Sequence, residues 1–131
     1  MLYTYNDIAM NYYIGVLKNY IGFSGRAHRA EYWYFVLFNL IASAVLTYVD
    51  GALWLAVEVA GEMIMILSTV YALAVLLPTL AVTVRRLHDT NRSGWWIFIS
   101  LIPLIGAIWL IVLLAKKGSE GKNKFGAVPT N

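Results

Sequence analysis

The sequence contains no cysteine, and that absence excludes whole classes of site. Without thiols the chain can form neither disulfide bonds nor thiolate metal centres. Histidine is also scarce, with two residues in 131, whereas a metal site needs about three protein ligands. We therefore predict no metal site, and nothing in the sequence predicts another cofactor.

Charged residues are few as well, and they are unevenly placed. They make up 13% of the chain, against about a quarter in a typical soluble domain. Asp, Glu, Lys, Arg and His are all missing from three apolar runs of 18, 22 and 21 residues, at positions 32–49, 63–84 and 95–115. At about 1.5 Å per helical residue, each run can cross a hydrocarbon core of roughly 30 Å. The sequence thus predicts an all-α integral membrane protein with a single membrane domain over residues 1–131.

The third run differs from the first two because it carries helix-breaking residues near its centre. Pro103 and Gly106 divide it into two arms, so it either enters and leaves on one side as a re-entrant hairpin or crosses as a kinked third span. Before the first span, a short amphipathic helix is expected at residues 11–23, lying in the headgroup layer or packed on the bundle. The predicted fold is a small helical bundle with two full transmembrane helices, a broken third segment and an amphipathic N-terminal helix.

Lysine and arginine are absent from residues 50–62, which contain three acids. The positive charges lie before the first span, after the second span and in a basic tail at residues 116–131. The positive-inside rule places residues 50–62 outside, and the N-terminus and residues 85–92 in the cytoplasm. This predicts a multi-pass protein, and a hairpin in the third segment would bring the C-terminus to the cytoplasm too.

Arg26, Arg29 and Glu31 form a first polar cluster just ahead of the first span. Ser24 is expected to cap the helix that carries them. The two arginines are three residues apart and share a helix face, where they could grip lipid phosphates through bidentate hydrogen bonds. Alternatively, the arginines only orient the span, and Glu31 forms a salt bridge to the arginine pair at residues 85–86.

A second polar cluster follows the second span and comprises Arg85, Arg86, His88, Asp89 and Arg92. If the helix continues to Asp89, then Arg85, His88 and Asp89 share one side and the carboxylate could orient the imidazole. Catalysis would also need a nucleophile, which no motif signals, so we predict no catalytic residue. The cluster is predicted to be a hydrogen-bonded structural network or a surface that recognises lipid or a partner. We expect Asp89 to be held by Arg85, by Arg86 or by an arginine of the first cluster, because an unpaired carboxylate at the membrane boundary would be costly.

Three tryptophans lie at the ends of the apolar runs, where aromatic rings favour the boundary between lipid and water. Trp33, Trp95 and Trp96 are therefore predicted to be interfacial anchors.

Five short motifs occur in order along the chain: FSGRAHRAEYW at residues 23–33, RRLHD at 85–89, SGWW at 93–96, PLIG at 103–106 and GKNKFG at 121–126. Together they resemble the domain of unknown function 805 family of small bacterial inner-membrane proteins. The similarity extends from residue 10 to residue 129. The resemblance implies a bacterial inner-membrane location and carries no established activity.

The chain departs from the family pattern in two respects. His28 and Lys124 stand where arginine is common in the family. Residues 1–9 precede the family's usual start, which makes Met10 an alternative initiator to Met1.

The predicted function is that of a non-enzymatic inner-membrane protein whose basic cytoplasmic face binds anionic membrane lipids or a membrane-protein partner, a second copy of the chain included. An oligomeric small transporter or channel is one alternative. A membrane enzyme that uses His88 and Asp89 is another. No nucleic-acid partner is expected, because the positive charges flank membrane spans.

Overall fold

The computed structural model describes residues 5–129. Within this range the elements are, in chain order, helix α1 (Tyr5–Lys18), helix α2 (Arg29–Ala52), strands β1 (Ala56–Val59) and β2 (Glu62–Met65), helix α3 (Ile66–Asp89), a 3-10 helix (Gly94–Leu101) and helix α4 (Ile105–Ala115).

Helices α2 and α3 pack against each other in an antiparallel pair, and each is long enough to cross a membrane. With 24 residues, each helix measures about 36 Å. Only 11% and 22% of the residues in their most apolar stretches are buried inside the protein, whereas the core helix of a soluble protein would be mostly buried. Their apolar side chains therefore face outward, as expected for helices surrounded by lipid.

The two ends of this helix pair differ in chemistry. At one end Glu31 on α2 pairs with Arg85 on α3, and at the other end Asp50 on α2 meets Ser68 on α3. We call the first the basic end; it comprises residues 24–31, 85–92 and 116–129. We call the second the hairpin end; it comprises residues 50–68.

Helix α2 begins at Arg29, and its N-cap is His28 rather than the expected Ser24. The Nδ1 atom of His28 accepts a hydrogen bond from the Glu31 backbone N–H at 3.1 Å. The expectation for Ser24 is wrong because the chain turns at Gly25, where φ is 88°, and enters the helix only four residues later.

Helix α1 begins and ends earlier than the helix expected at residues 11–23. It packs against the bundle: Val16 is fully buried, and the Tyr13 hydroxyl lies 2.9 Å from the Tyr71 hydroxyl on α3. Burial of one apolar stripe against α2 and α3 stabilises this short helix, since helices of this length are marginal in isolation.

Strands β1 and β2 form an antiparallel hairpin, which corrects the all-α prediction at this point of the chain. Their register places Val59 opposite Glu62, leaving Ala60 and Gly61 as a two-residue loop. Both loop residues have positive φ, 51° and 85°, which is the conformation that matches the twist of a tight hairpin. The other regular elements among residues 5–129 are helical.

Helix α3 begins at Ile66, later than the predicted start of the second span, because the first residues of that apolar run pair in β2. Its N-terminus is capped from α2: Asp50 accepts hydrogen bonds from the backbone N–H groups of Leu67 and Ser68 and from the Ser68 hydroxyl, each at 2.9 Å. Met65 occupies the N-cap position without a side-chain bond. Asp50 therefore satisfies otherwise unpaired donors and places a negative charge at the positive end of the helix.

The third apolar run folds as two arms joined by a turn. The 3-10 helix forms the first arm and α4 the second, and the turn includes Pro103 and also Leu104, where φ is 61°. A Cβ atom at Gly106 would lie 1.8 Å from the Ile99 carbonyl oxygen. The arms thus approach backbone to backbone at a point where only glycine fits.

The outer ends of both arms lie beside the same end of α3. A Cβ atom at Gly94 would lie 2.8 Å from Val84, and the Leu114 carbonyl accepts a hydrogen bond from Arg86 Nε at 2.9 Å. Val84 and Arg86 are two residues apart on α3, so the third run starts and finishes near the basic end. The buried apolar core lies here as well and combines Val16, Ala27, Tyr32, Phe35, Val82, Leu87, Leu113 and Leu114.

Candidate functional site at the basic end

Asp89, the last residue of α3, is the centre of a buried ion-pair network. One carboxylate oxygen accepts a hydrogen bond from Arg26 Nε at 2.9 Å, the other accepts one from Arg86 Nη1, and all three side chains are at most 6% exposed. This is the pairing expected of Asp89 with Arg86 and with an arginine of the first cluster. The alternative grouping with Arg85 and His88 is not formed, because the carboxylate is turned toward Arg26 and Arg86.

Arg26 ties the C-terminal tail, residues 116–129, to the start of α2. Its Nη1 donates to the Gly121 carbonyl and its Nη2 to the Ser119 carbonyl, each at 2.7 Å. A guanidinium offers five N–H donors in a fixed fork, and here they are used on Asp89 and on the tail. Arg26 is therefore held inside the fold and is not free to bind a lipid phosphate.

Arg86 ties the end of α4 to α3. It is fully buried and donates through Nε to the Leu114 carbonyl at 2.9 Å, through Nη2 to the Lys116 carbonyl and through Nη1 to the Ala27 carbonyl at 3.2 Å. The last carbonyls of a helix lack partners within the helix itself. Arg86 donates hydrogen bonds to such carbonyls and so anchors the returning arm of the third run.

The tail adds contacts of its own to this network. The Ser119 N–H donates to the Asp89 carbonyl at 2.7 Å, and the Asn123 side-chain amide donates to the His88 carbonyl at 2.9 Å. A Cβ atom at Gly118 would lie 2.0 Å from the Asp89 carboxylate, so the chain passes very close here. The tail was predicted only as a basic segment, but it folds over the polar cluster. Its glycines were the one sequence feature that could have indicated this close packing.

His88 lies in a separate network from Asp89. Its ring stacks on Phe125 with centroids 3.9 Å apart and an interplanar angle of 5°. Its Nδ1 is 2.8 Å from the Gly25 carbonyl oxygen, which can only accept, so Nδ1 carries a proton. Asp89 does not orient this imidazole, and the two do not form an acid–base pair. Among residues 5–129, no three His, Asp or Glu side chains cluster as metal ligands.

Arg85 joins α3 to α2 through Glu31. Its Nη1 donates to Glu31 Oε1 at 2.8 Å, which is the ion pair expected between Glu31 and the arginine pair. Its Nε and Nη2 are buried and have no hydrogen-bond partner in the described part of the chain. Arg85 is thus enclosed in the bundle and offers no donor to the surface.

The exposed lysines and the exposed arginine of the basic end form a second set, whose side chains take no part in the buried network. Only one of them has an acidic partner within residues 5–129: Lys117 lies 3.6 Å from Glu120, with side chains 73% and 88% exposed, so the pair contributes little. We call this set the exposed cations; it comprises Arg29, Lys116, Lys117, Lys122 and Lys124.

The three tryptophans lie in different settings. Trp95 is 77% exposed and Trp96 42% exposed, and the Arg92 guanidinium lies 6.0 Å over the Trp96 ring. Trp33 is half-buried and meets the Tyr32 ring edge-on at 5.1 Å. Trp95 and Trp96 have the free surface that an interfacial anchor needs, whereas Trp33 is partly used in packing.

Two of the grooves formed by residues 5–129 open near this network. The first, of about 370 Å³, has charged residues in its wall, among them Arg29, Asp89 and Lys117. The second, of about 470 Å³, is mainly apolar and lies between α3 and the 3-10 helix.

Comparison with known proteins decides the family. The family described as "Protein of unknown function (DUF805)" matches residues 20–127. This chain belongs to the DUF805 family. Inner membrane protein YhaH of Escherichia coli K12 is 48% identical over 121 residues, which cover 92% of this chain and 97% of YhaH. Inner membrane protein YhaI of the same strain is 44% identical over 120 residues, covering 92% and 96%. Uncharacterized protein YiiR is 29% identical over 129 residues, covering 79% and 83%. No solved structure matches the chain.

The DUF805 match confirms the resemblance carried by the five motifs. Together with the two long apolar helices, the relatives place the chain in a bacterial inner membrane. Three of the five motifs meet in the buried network: residues 23–33 supply Arg26, residues 85–89 supply Arg86 and Asp89, and residues 121–126 supply tail carbonyls. Residues of these three motifs therefore hold the basic end together.

Proposed function

We propose that this protein is a non-enzymatic inner-membrane protein that binds anionic phospholipid at its basic end. The observation that carries the proposal is the separation of the arginines and lysines into two sets. Arg26, Arg85 and Arg86 are buried and bonded within the protein. The exposed cations lie at the same end of the helix pair, and within residues 5–129 only Lys117 among them has an acidic partner, Glu120.

This separation favours lipid as the ligand because the exposed cations lie at the end of the membrane-spanning pair, where headgroups are. A basic residue near an anionic membrane surface contributes about 1 kcal/mol, so five of them form a strong attraction. The buried set keeps the tail folded against α2 and α3, which holds the tail lysines close to the membrane rather than on a free chain.

The test compares lipids that stay with the protein in mild detergent, measured by native mass spectrometry. Replacing the five exposed cations by glutamine should lower the ratio of retained phosphatidylglycerol to phosphatidylcholine about tenfold or more. A matched control, Glu58→Gln with Glu62→Gln, changes charge at the hairpin end and should leave the ratio unaltered. An unchanged ratio in the five-fold variant would refute the proposal. Arg26 is left intact, since its loss would disturb the fold itself.

The proposal includes a topology in which both ends of the chain lie in the cytoplasm. Residues 95–115 would enter and leave the membrane from the cytoplasmic side as a re-entrant hairpin. Support comes from the contacts of Arg86 with Leu114 and Lys116, and from the closeness of Gly94 to Val84, since these bring both outer ends to one end of α3. Charge counting agrees, because a hairpin places all of the tail lysines on the side of residues 85–92.

Cysteine labelling in intact cells tests this topology, and the absence of native cysteine makes single substitutions clean. Glu58→Cys should react with an impermeant thiol reagent applied outside. Glu120→Cys, whose parent side chain is 88% exposed, should react only after the membrane is permeabilised. External labelling of Glu120→Cys would show a straight third crossing instead.

The enzyme and transporter alternatives find less support. An enzyme using His88 and Asp89 would need the two to cooperate, yet Asp89 is neutralised by two arginines. A solute path needs free polar groups inside the membrane, yet the Asn39 amide and the Thr79 and Thr83 hydroxyls are hydrogen-bonded within the protein. A membrane-protein partner at the basic end would use the same exposed cations, and retained protein mass in the lipid experiment would identify it.

A further inference from the structure

An apolar groove runs along α3 beside the 3-10 helix. Leu80 and Val84 line its wall on α3, and Ile97 and Phe98 line it on the 3-10 helix. Its volume of about 470 Å³ lies within the range of roughly 300–1,000 Å³ found for small-molecule sites. The groove belongs to the apolar part of a membrane protein, so lipid chains surround its opening.

The polarity of this groove changes along its length. Leu80 lies at one end and His88 at the other, eight residues later on α3, which corresponds to roughly 12 Å. Ser93 joins His88 at that end, next to the charged residues of the basic end. An occupant that matches this gradient has an apolar chain and a polar head, oriented as membrane lipids are.

The polar end of the groove is prepared to accept a hydrogen bond. Because Nδ1 of His88 donates to the Gly25 carbonyl, the neutral ring leaves Nε2 as an acceptor, and Nε2 has no hydrogen-bond partner within residues 5–129. Stacking on Phe125 holds the ring in place. Arg92, half-buried on Trp96, directly precedes Ser93 and supplies a positive charge close to this end.

We propose that this groove is a site for one anionic phospholipid whose headgroup carries a free hydroxyl. One acyl chain lies along Leu80 and Val84, the headgroup hydroxyl donates to His88 Nε2, and the phosphate lies near Arg92. This inference rests on the proposed function and adds to it a defined lipid site, separate from the exposed cations. The apolar wall selects for a chain, Arg92 selects for the negative charge, and His88 selects among anionic headgroups.

Two lipid probes of equal charge test the headgroup contact. Phosphatidylglycerol carries headgroup hydroxyls, whereas phosphatidylmethanol has the same charge and none. In competition for the wild-type protein, phosphatidylglycerol should be retained about fivefold better, which is the effect of one hydrogen bond. Equal retention of the two lipids would overturn the assignment of His88 as the headgroup acceptor and with it the proposed site.

Two tryptophan substitutions test the position of the site. Leu80→Trp fills the groove and should abolish the preference for phosphatidylglycerol over phosphatidylmethanol. Leu73→Trp adds the same side chain on the same helix at a lipid-facing residue outside the groove, and should keep the preference. Circular dichroism and elution volume establish that both variants remain folded. The proposed site would be overturned if both variants kept the preference or if both lost it.

The outcome is distinguishable from a failure of the proposed function. If the five exposed cations control general anionic enrichment but Leu80→Trp has no effect, only the groove site is wrong. If the five-cation variant retains full anionic enrichment, the proposed function is wrong, whatever the groove holds. A second protein chain retained by the wild type and lost in Leu80→Trp would show a partner helix in the groove and would also overturn the lipid site.

Discussion

Replacement of Asp89 by asparagine is the sharpest perturbation of the basic end. Asparagine keeps the size of the side chain and one acceptor oxygen, but it removes the charge that Arg26 and Arg86 share. Both guanidinium groups would keep their bonds to backbone carbonyls, yet two buried positive charges would face each other without a counter-charge. Breaking a buried ion pair in this way costs about 3–5 kcal/mol.

The expected result is a fall in the thermal unfolding midpoint of about 10 °C or more in detergent, followed by tryptophan fluorescence. The tail should also loosen, because Arg26 and Asp89 hold it through the Ser119 and Gly121 backbones. Limited trypsin digestion reports this loosening, since the tail contains four lysines. Cleavage in the tail should become faster, while the membrane-embedded part stays intact.

The matched control is Glu120→Gln, which removes one negative charge from the same region. Its parent side chain is 88% exposed, so the midpoint should stay within about 2 °C of wild type. A chelator should change neither protein, because both carboxylate oxygens of Asp89 already accept hydrogen bonds from arginine. An unaltered midpoint and digestion pattern in Asp89→Asn would refute the view that this carboxylate organises the basic end.

Two further substitutions test the elements that position this end. Asp50→Ala removes the cap of α3 and its bonds to the start of the helix, so it should lower the unfolding midpoint, by less than Asp89→Asn, while Glu58→Ala on the exposed hairpin should not. Gly106→Ala places a Cβ atom 1.8 Å from the Ile99 carbonyl oxygen and should destabilise the fold by about 1–3 kcal/mol or more. Its control, Gly15→Ala in α1, meets no atom within 4 Å and should be neutral or stabilising. Thermal unfolding measures both pairs, and a reversed order in either pair would contradict the structure.

The membrane spans were predictable because they depend on composition over long stretches. Residues 32–49 lie within α2, and most of residues 63–84 lie within α3, so an uncharged apolar run was sufficient to find both helices. The break in the third run was also visible, since Pro103 and Gly106 act on the backbone locally. These features are properties of consecutive residues, which is why no partner from elsewhere in the chain was needed to find them.

Predictions of local structure were wrong where a distant residue or a turn conformation determined the structure. The hairpin at residues 56–65 was missed, although Gly61 gave a local hint of its loop. Asp50 was read as part of an outer acidic loop, but it caps α3 across the pair. That role requires α2 and α3 to be already packed, so the residue's neighbours in sequence cannot reveal it.

The polar cluster illustrates the difference between features that follow from the sequence and features that depend on tertiary contacts. The gathering of the arginines, His88 and Asp89 at one end of the helix pair follows from the order of residues along the chain, because apolar spans exclude charge and force it to their ends. Which arginines are buried depends on contacts between distant segments: Arg26 and Arg86 reach Asp89 because the start of α2 and the returning tail fold over α3. Burial and pairing depend on groups up to 100 residues apart in the chain, such as the Arg26 guanidinium and the Gly126 carbonyl, and these contacts exist only once the chain has folded.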